Sequence, residues 1–566
     1  MNKFKRKSKI SARACVLFAI GFLVLMVTIY EFIIFCALDK LTDDPKVISA
    51  GSHIRSHELK QHDIAESDKV LHELLGYVEH SVEDDSHNKI INTVHFVWCP
   101  NDTFSFQNYI SILSVWKTLR PDIIEFHQKS PPKEDKYDDW LLQLQKTIPS
   151  LVLKELPANW DGDDKGCGFW FGLAVIDDRG GIFVDENVIV TDVMVKHLKE
   201  KQTIFFSKHS TEKEPKVAVA MGIEHNSDFK SFRRKFASDK ILPENANMCV
   251  PVSKIVENVS ISECYVMDNA FHPYDVLEAD DIFGELVRDI MYGSKEKKVP
   301  QSVLPGYIPK IVHYVWFGQK EMDFMMYLSM LSTLFILNPE KVIIHTDGGL
   351  SGKYLTKVRR DKRVLMIKRE KPFDIFGHRV LYAQHRSDIV RAECLLKYGG
   401  IYMDWDVLWL KDPDDLIKTG YDAIANFDHM QEGNFPNTIN LGVFMAKPKS
   451  TFVKRWQDAL INYRSEDFLY NAVQLPYKIY ERYPQYLKIQ KNLQVMCFRL
   501  KCHPVFHPNF KSFTEEQPFD WRKDVYSIHF TFPDPDELTN ETALHNGSGR
   551  FADIGRFILQ HENKLG

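Results

Sequence analysis

The sequence predicts an α/β protein, with two tandem domains carried behind a single N-terminal membrane span and a polar stem. Three observations lead there. A long apolar run follows a basic N-terminus, two distant stretches repeat one strand–helix–Gly-Gly–strand pattern, and the second of them ends in a pair of alternating aspartates. A length of 566 residues is too great for one typical domain. A hydrophobic fraction of 44% and a charged fraction of 26% suit a globular body, and a net charge of -5 argues for no nucleic-acid partner.

Residues 1–13, MNKFKRKSKISAR, form a basic cytoplasmic tail, and residues 14–38 form an apolar run. A hydrocarbon core of ~30 Å takes roughly 20 apolar residues, so this run is long enough to span it. A cleaved signal peptide has a shorter apolar region of about 7–15 residues, so an uncleaved anchor is expected. Glu31 falls near the far end, where a carboxylate can lie in the interface. The basic flank stays cytoplasmic, which predicts a single-pass type II protein with a lumenal body. Residues 39–88 are polar and read as the stem. Four Asn-x-Ser/Thr sequons (Asn101, Asn258, Asn540 and Asn546) all follow the anchor. Seven cysteines also follow it, and an oxidising lumen permits disulfides, with Cys249–Cys264 and Cys497–Cys502 as local candidates. Their spacing includes no CxxC pair or Cys/His cluster of the kind that builds structural zinc sites.

The body repeats itself. NTVHFVWCP around His95 matches PKIVHYVWFG around His313, 218 residues later, and RGGIFVDENVIV around Asp185 matches YGGIYMDWDVLW around Asp404, 219 residues later. A third match joins AFHPYD around His272 to VFHPNF around His507. These predict one domain over residues 89–295 and a second over 296–566, joined near Gly293 to Gly306, where charge and proline mark a linker.

The chemistry sits in the second repeat. Ser387 to Leu396 has helical spacing, with Ser387 as a candidate cap and Gly399 as the left-handed end. Asp388 and Arg391, three apart, share one face of that helix. An extended segment follows, so Asp404 and Asp406 point to the same side and can converge on one spot. Hard divalent ions are held by one or two carboxylates together with substrate phosphates. An Asp-x-Asp triplet alone is weak, since most are solvated loops; behind SDIVR and KYGGIY its meaning is sharper. His313 reads as a structural strand histidine and Asp347 as a turn residue.

IPKIVHYVWFG, SDIVR, GGIYMDWD and the asparagine-bearing FPNTINLGVFMAKP resemble the glycosyltransferases with a DXD sugar-binding region. That group includes α-1,4-galactosyl- and α-1,4-N-acetylglucosaminyltransferases and yeast Golgi mannosyltransferases, and large clostridial glucosylating toxins share its core pattern. The resemblance covers roughly Pro309 to Phe530 and, more faintly, the first half. It implies GT-A (Rossmann-like) domains, a nucleotide-sugar donor, Mn2+ or Mg2+, retention of anomeric configuration and a place in the Golgi membrane. It also implies roles. Trp316 would stack on the base, Asp388 and Arg391 would hold sugar and phosphate, and Tyr402 would line the donor pocket. Asp404 would bind the metal indirectly and Asp406 directly, Asn437 or Asn440 would face sugar and acceptor, and His529 would approach the metal or diphosphate.

The first repeat has lost most of this set: Phe169 stands for Asp388, Gly172 for Arg391 and Asn187 for Asp406, while Asp185 persists. It is expected to keep the fold without metal-dependent transfer. The sequence thus points to a retaining, metal-dependent glycosyltransferase acting on a glycan, glycolipid or glycoprotein, with UDP-galactose or UDP-N-acetylglucosamine preferred and GDP-mannose open. The competing reading is a non-catalytic lumenal carbohydrate-binding or scaffolding protein. A glycosidase is disfavoured, because its two carboxyls flank the scissile bond from opposite sides. The acceptor and the oligomeric state are not written in the sequence.

Overall fold

The computed structural model describes residues 92–565 apart from 101, 138, 158–166, 200–203, 209–215, 240–246, 256–260, 298–303, 429–434 and 504–519. The expected anchor and stem, the sequons Asn101 and Asn258, and the His507 end of the third repeat match lie outside the described residues. Among the described residues, no helix is long and apolar enough to cross a membrane.

Runs rich in β-branched and aromatic residues form two sheets in a mixed α/β architecture. In the first half the strands are β1 (Thr93–Trp98), β2 (Ile123–Gln128), β3 (Leu151–Glu155), β4 (Gly181–Val184), β5 (Val188–Val190), β6 (Ile204–Lys208), β7 (Lys216–Gly222), β8 (Asn247–Pro251) and β9 (Cys264–Val266). Their order across the sheet is β3-β2-β1-β4-β7-β6-β8-β9-β5. In the second half, β10 (Ile311–Trp316), β11 (Lys341–Thr346), β12 (Val364–Lys368), β13 (Gly400–Met403), β15 (Ala423–Asp428), β16 (Thr438–Ala446) and β17 (Lys488–Ile489) lie in the order β12-β11-β10-β13-β16-β15-β17. Four more strands, β14 (Val407–Trp409), β18 (Gln494–Phe498), β19 (Lys501–His503) and β20 (Ser527–Phe532), make a small sheet in the order β14-β20-β18-β19.

The repeat carries through to the register. Thr93 pairs with Ile123 and Ile311 with Lys341, in parallel; Val94 pairs with Ile182 and Val312 with Ile401. Both sheets then turn antiparallel at the same step, between β4 and β7 and between β13 and β16. The central strands are buried along nearly their whole length, as expected of parallel strands covered on both faces.

The Gly-Gly pairs have a steric cause. Helix α1 (Cys167–Arg179) ends at Gly180-Gly181, and helix α2 (Ala383–Tyr398) ends at Gly399-Gly400. All four glycines have positive φ, and a Cβ on Gly400 would lie 2.3 Å from the Ile311 carbonyl oxygen. The helix must drop straight into a strand pressed against its neighbour, and only glycine fits. The α2 helix starts at Ala383, so Ser387 lies in its second turn and is not its cap; there its hydroxyl donates back to the Gln384 carbonyl. Apolar periodicity begins only at Ile389, which hid the polar first turn.

His313 is a strand-interior histidine. Arg369 Nε donates to His345 Nδ1 (3.0 Å), His345 Nε2 lies 3.1 Å from His313 Nδ1, and His313 Nε2 lies 3.0 Å from the Gly399 carbonyl. Burial pushes His313 down to about 4, so the chain of neutral rings is self-satisfied. His95, His127 and the Gly180 carbonyl repeat the arrangement in the first half. Asp347 accepts from the backbone N–H groups of Gly318 and Gly349, as a turn residue does. Cys249–Cys264 and Cys497–Cys502 are bonded, and Cys99–Cys167 ties the end of β1 to the start of α1.

Both sheets belong to one compact unit, Asp85–Gly566, and a single apolar cluster runs from Phe106 and Trp140 in the first half to Phe435, Tyr477 and Tyr480 in the second. Polar contacts cross the same boundary. The Tyr137 hydroxyl donates to Glu481 (3.0 Å), Lys478 donates to the Tyr137 carbonyl (2.9 Å), and Arg482 pairs with Asp139 (2.5 Å). Glu481 and Lys478, themselves 2.7 Å apart, are buried there.

Candidate functional site

The carboxyl ends of β10 and β13, the start of α2 and the strands β16 and β20 enclose a cavity of about 570 Å³. That size suits a small-molecule ligand. Trp316, Asp388, Arg391, Tyr402, Asp404, Asp406, Asn440 and His529 all line it; Asn437 does not.

Asp404 is the first residue past β13 and is anchored by its own backbone, whose N–H donates to the Gly442 carbonyl (2.8 Å). Its Oδ1 accepts from the Tyr402 hydroxyl (2.7 Å) and, more distantly, from Arg391 (3.4 Å). The Arg391 guanidinium lies 3.8 Å over the Tyr402 ring, donates to the Leu441 carbonyl (2.8 Å) and reaches Asp388 at 3.4 Å. Arg391 is therefore a buried organiser of Asp388, Tyr402 and Asp404. Burial raises the Asp388 carboxyl, with Arg391 pulling the other way; burial likewise raises Asp404, against Arg391 and with help from Asp406.

Asp406 follows two residues later, and strand pairing brings His529 opposite Val407. His529 Nε2 lies 3.1 Å from Asp406 Oδ1 and 4.0 Å from Asp404 Oδ2. Asp406 Oδ1 is buried and lacks a well-aligned hydrogen-bond donor; its close contact is the facing His529 ring. Burial works against a charged His529, yet Asp406, Asp404 and Asp428 together hold its pKa above the ordinary value. Ligand atoms of Asp404, Asp406 and His529 all lie within 4.8 Å of one another. A Cβ on Gly442 would lie 2.3 Å from His529 Cε1, so glycine at this point of β16 makes room for the ring.

Trp316 is half-buried at the end of β10, and the Lys320 ammonium sits 5.0 Å from its ring centre. Asn440 lines the cavity with its amide already engaged: Nδ2 donates to Asp428 (2.8 Å) and Oδ1 accepts from the Gly442 N–H (2.7 Å). Sequence reasoning missed Lys320, Arg386, Asp428 and Asp534, which share the lining, and Gln494 beneath it. Asp534 stands five residues past His529, and its carboxyl is pushed up to about 6 by burial, with Asp406 and Asp323 adding. An acidic run after the late histidine was its visible signal; Gln494 carries none.

Among the described residues, two other clusters have metal-ligand chemistry: His95, Glu125 and His127, and His313, His345 and Cys394. Lys154 and Arg179 already pair with Glu125 in the first, and the second is the satisfied chain from Arg369 to Gly399. Both read as structural.

The first half shows the same scaffold without the charges. Gly172 and Phe183 stand for Arg391 and Tyr402, and a Cβ on Gly172 would lie 2.2 Å from the Phe183 ring, so the ring fills the space left by the lost side chain. The Asp185 N–H donates to the Ala218 carbonyl (2.9 Å), which aligns Ala218 with Gly442. His529 has a counterpart that sequence matching did not find. Val188 corresponds to Val407, and they pair with Val266 and His529. Two ladder steps away, Gln494 pairs with Ser527, where the first half has the Cys249–Cys264 disulfide.

Residues 325–421 match the family described as glycosyltransferase sugar-binding region containing DXD motif, and residues 382–537 match nucleotide-diphospho-sugar transferase. The resemblance expected from the sequence holds over this part of the second half. Glucan organizing enzyme 1 of Cryptococcus neoformans var. grubii is 25% identical over 224 residues, covering 37% of this chain and 59% of that relative. The chain thus matches less than two thirds of the relative's length. Among solved structures, PaToxG glycosyltransferase is similar at 20% identity, over 32% of this chain and 72% of that one, with a TM-score of 0.24. An active-site mutant of LgtC is similar at 13% identity, over 45% and 96%, with a TM-score of 0.29. GlyE of Streptococcus pneumoniae TIGR4 is similar at 9% identity, over 50% and 81%, with a TM-score of 0.24.

Proposed function

We propose that the second half moves a sugar, with retention of configuration, from a nucleotide-sugar to a glycan, glycolipid or glycoprotein acceptor, using a divalent cation. A UDP-linked donor is preferred. The observation that carries this reading is the buried Asp406 Oδ1 facing His529 Nε2 at 3.1 Å, with the ligand atoms of Asp404, Asp406 and His529 all within 4.8 Å of one another. Two ligands on one edge of an octahedron with bonds of about 2.1 Å stand about 3 Å apart. The residues therefore fit an ion held by Asp406 and His529, with Asp404 nearby, and two carboxylates with one imidazole suit Mn2+ or Mg2+. When bound, the ion supplies Lewis-acid stabilisation of the charge on the departing diphosphate.

The chain's own residues do the rest. Trp316 offers a face for the base, and Lys320 and Arg386 add positive charge on the cavity wall. Arg391 holds Asp388 and Asp404 in place. The acceptor oxygen bonds to the anomeric carbon on the face from which the nucleoside diphosphate leaves, and the acceptor's proton goes to the leaving phosphate oxygen. In our reading two tandem GT-A-like domains, the first without a working site, sit in the Golgi lumen behind a type II anchor at residues 14–38.

The test is a panel of UDP- and GDP-sugars offered to the full-length protein with and without Mn2+, with the product's anomeric proton read by NMR. An α-linked product supports the reading, and a β-linked one overturns retention. Consumption of no donor in any condition favours the second reading, a carbohydrate-binding protein, to which the loss of charged residues in the first half already points.

A further inference from the structure

Beneath the Asp406–His529 pair lies a row of buried amides whose donors and acceptors have one consistent assignment. Asn426 Nδ2 donates to the Phe427 carbonyl (2.8 Å), and Asn440 Oδ1 accepts from the Gly442 N–H (2.7 Å). A backbone N–H can only give and a carbonyl can only take, so these contacts fix both asparagines. Each then turns its Oδ1 toward Gln494 Nε2, at 2.5 Å for Asn426 and 3.1 Å for Asn440. Both hydrogens of Gln494 are thereby used, and its Oε1 is left 3.0 Å from His529 Nδ1. An amide oxygen only accepts, so Nδ1 carries the hydrogen. Gln494 is fully buried and His529 is 4% exposed, so water has little access to compete.

A neutral imidazole protonated at Nδ1 presents a lone pair at Nε2, the nitrogen that faces Asp406. We infer that Gln494 is a positioning residue: it selects the Nδ1–H tautomer of His529 and so aims an unprotonated Nε2 at the divalent cation. The inference rests on the reading of Asp406 and His529 as cation ligands, and deepens it. Partners behind a metal-bound histidine typically matter about 10–100-fold in metal affinity.

The experiment measures Mn2+ affinity of the full-length chain by electron paramagnetic resonance, without donor, for the native protein, His529→Ala and Gln494→Met. Both variants are expected to bind Mn2+ about 10–100-fold more weakly. Weak binding by His529→Ala with native binding by Gln494→Met overturns this inference and leaves the parent reading standing. Native binding by His529→Ala, or no Mn2+ binding by the native chain, overturns both. If melting shows that Gln494→Met does not fold, the tautomer is read from histidine 15N shifts in the native chain without metal, at a pH above the raised pKa of His529 where the ring is neutral, with His529 assigned by its loss in His529→Ala. An unprotonated Nε2 supports the inference, and a protonated one sinks it.

Discussion

Set side by side, the two halves share the order of six sheet strands, the register and the buried histidine that grips the Gly-Gly turn, yet only the second has the full charged floor. The replacements in the first half are coupled. Arg391 and Tyr402 become Gly172 and Phe183, one ring filling the other's vacated volume. Gly442 and His529 become Ala218 and Val266, and the Cβ that would collide with His529 is tolerated where the histidine is gone. Gln494 gives way to a disulfide cysteine. The residues shared by both halves hold the backbone in place; those that differ together belong to the cavity. The difference separates what the architecture needs from what the chemistry needs.

The comparison can be attacked directly. Asp406→Asn writes the first half's residue into the second, and metal-dependent transfer should fall roughly a thousandfold, the scale of losing a key electrostatic group; retained turnover would dissolve the distinction. Lys478→Ala leaves Glu481 buried without its partner at the seam between halves and should cost about 3 kcal/mol in denaturant unfolding. A native midpoint would mean the seam is only a contact. Gly442→Ala makes the strand match the first half while His529 remains, so Mn2+ affinity should drop about tenfold or more with the ring displaced; Ala218→Gly, its mirror, should leave Mn2+ binding unchanged. Trp316→Ala should raise the donor KM about tenfold while sparing kcat, since base stacking contributes about 1–3 kcal/mol. The smallest expected effect is Asn187→Asp: without a histidine opposite, titration should detect no second Mn2+ site.

Much of this was readable beforehand because it is local. The Gly-Gly turn, the alternating aspartates and the helix bearing Asp388 and Arg391 are short-range patterns, and the repeat gave each an internal control. Long-range pairings were harder. Val266 could not be matched to His529 by sequence, because the spacing between corresponding strands differs and only the ladder aligns them. The pairing of Asn440 with Asp428 and Gln494 was hidden because it depends on strands brought together by folding. Gln494 and Asp534 lie in no motif. The start of α2 was misjudged because its first turn is polar, while apolar spacing reports only the buried face.

The seam at Tyr137, Lys478 and Glu481 has a consequence for how such a protein can change over generations. Phe468, Leu469, Ala472 and Val473, just before Lys478, help wall the cavity, so the first half backs the segment that shapes the cavity of the second. Once a carboxylate had been enclosed between the copies, discarding the first copy would strip cover from both charge and core. The arrangement acts as a ratchet: side chains away from the seam are free to diverge, but truncation uncovers it, and a duplicated pair stays a pair.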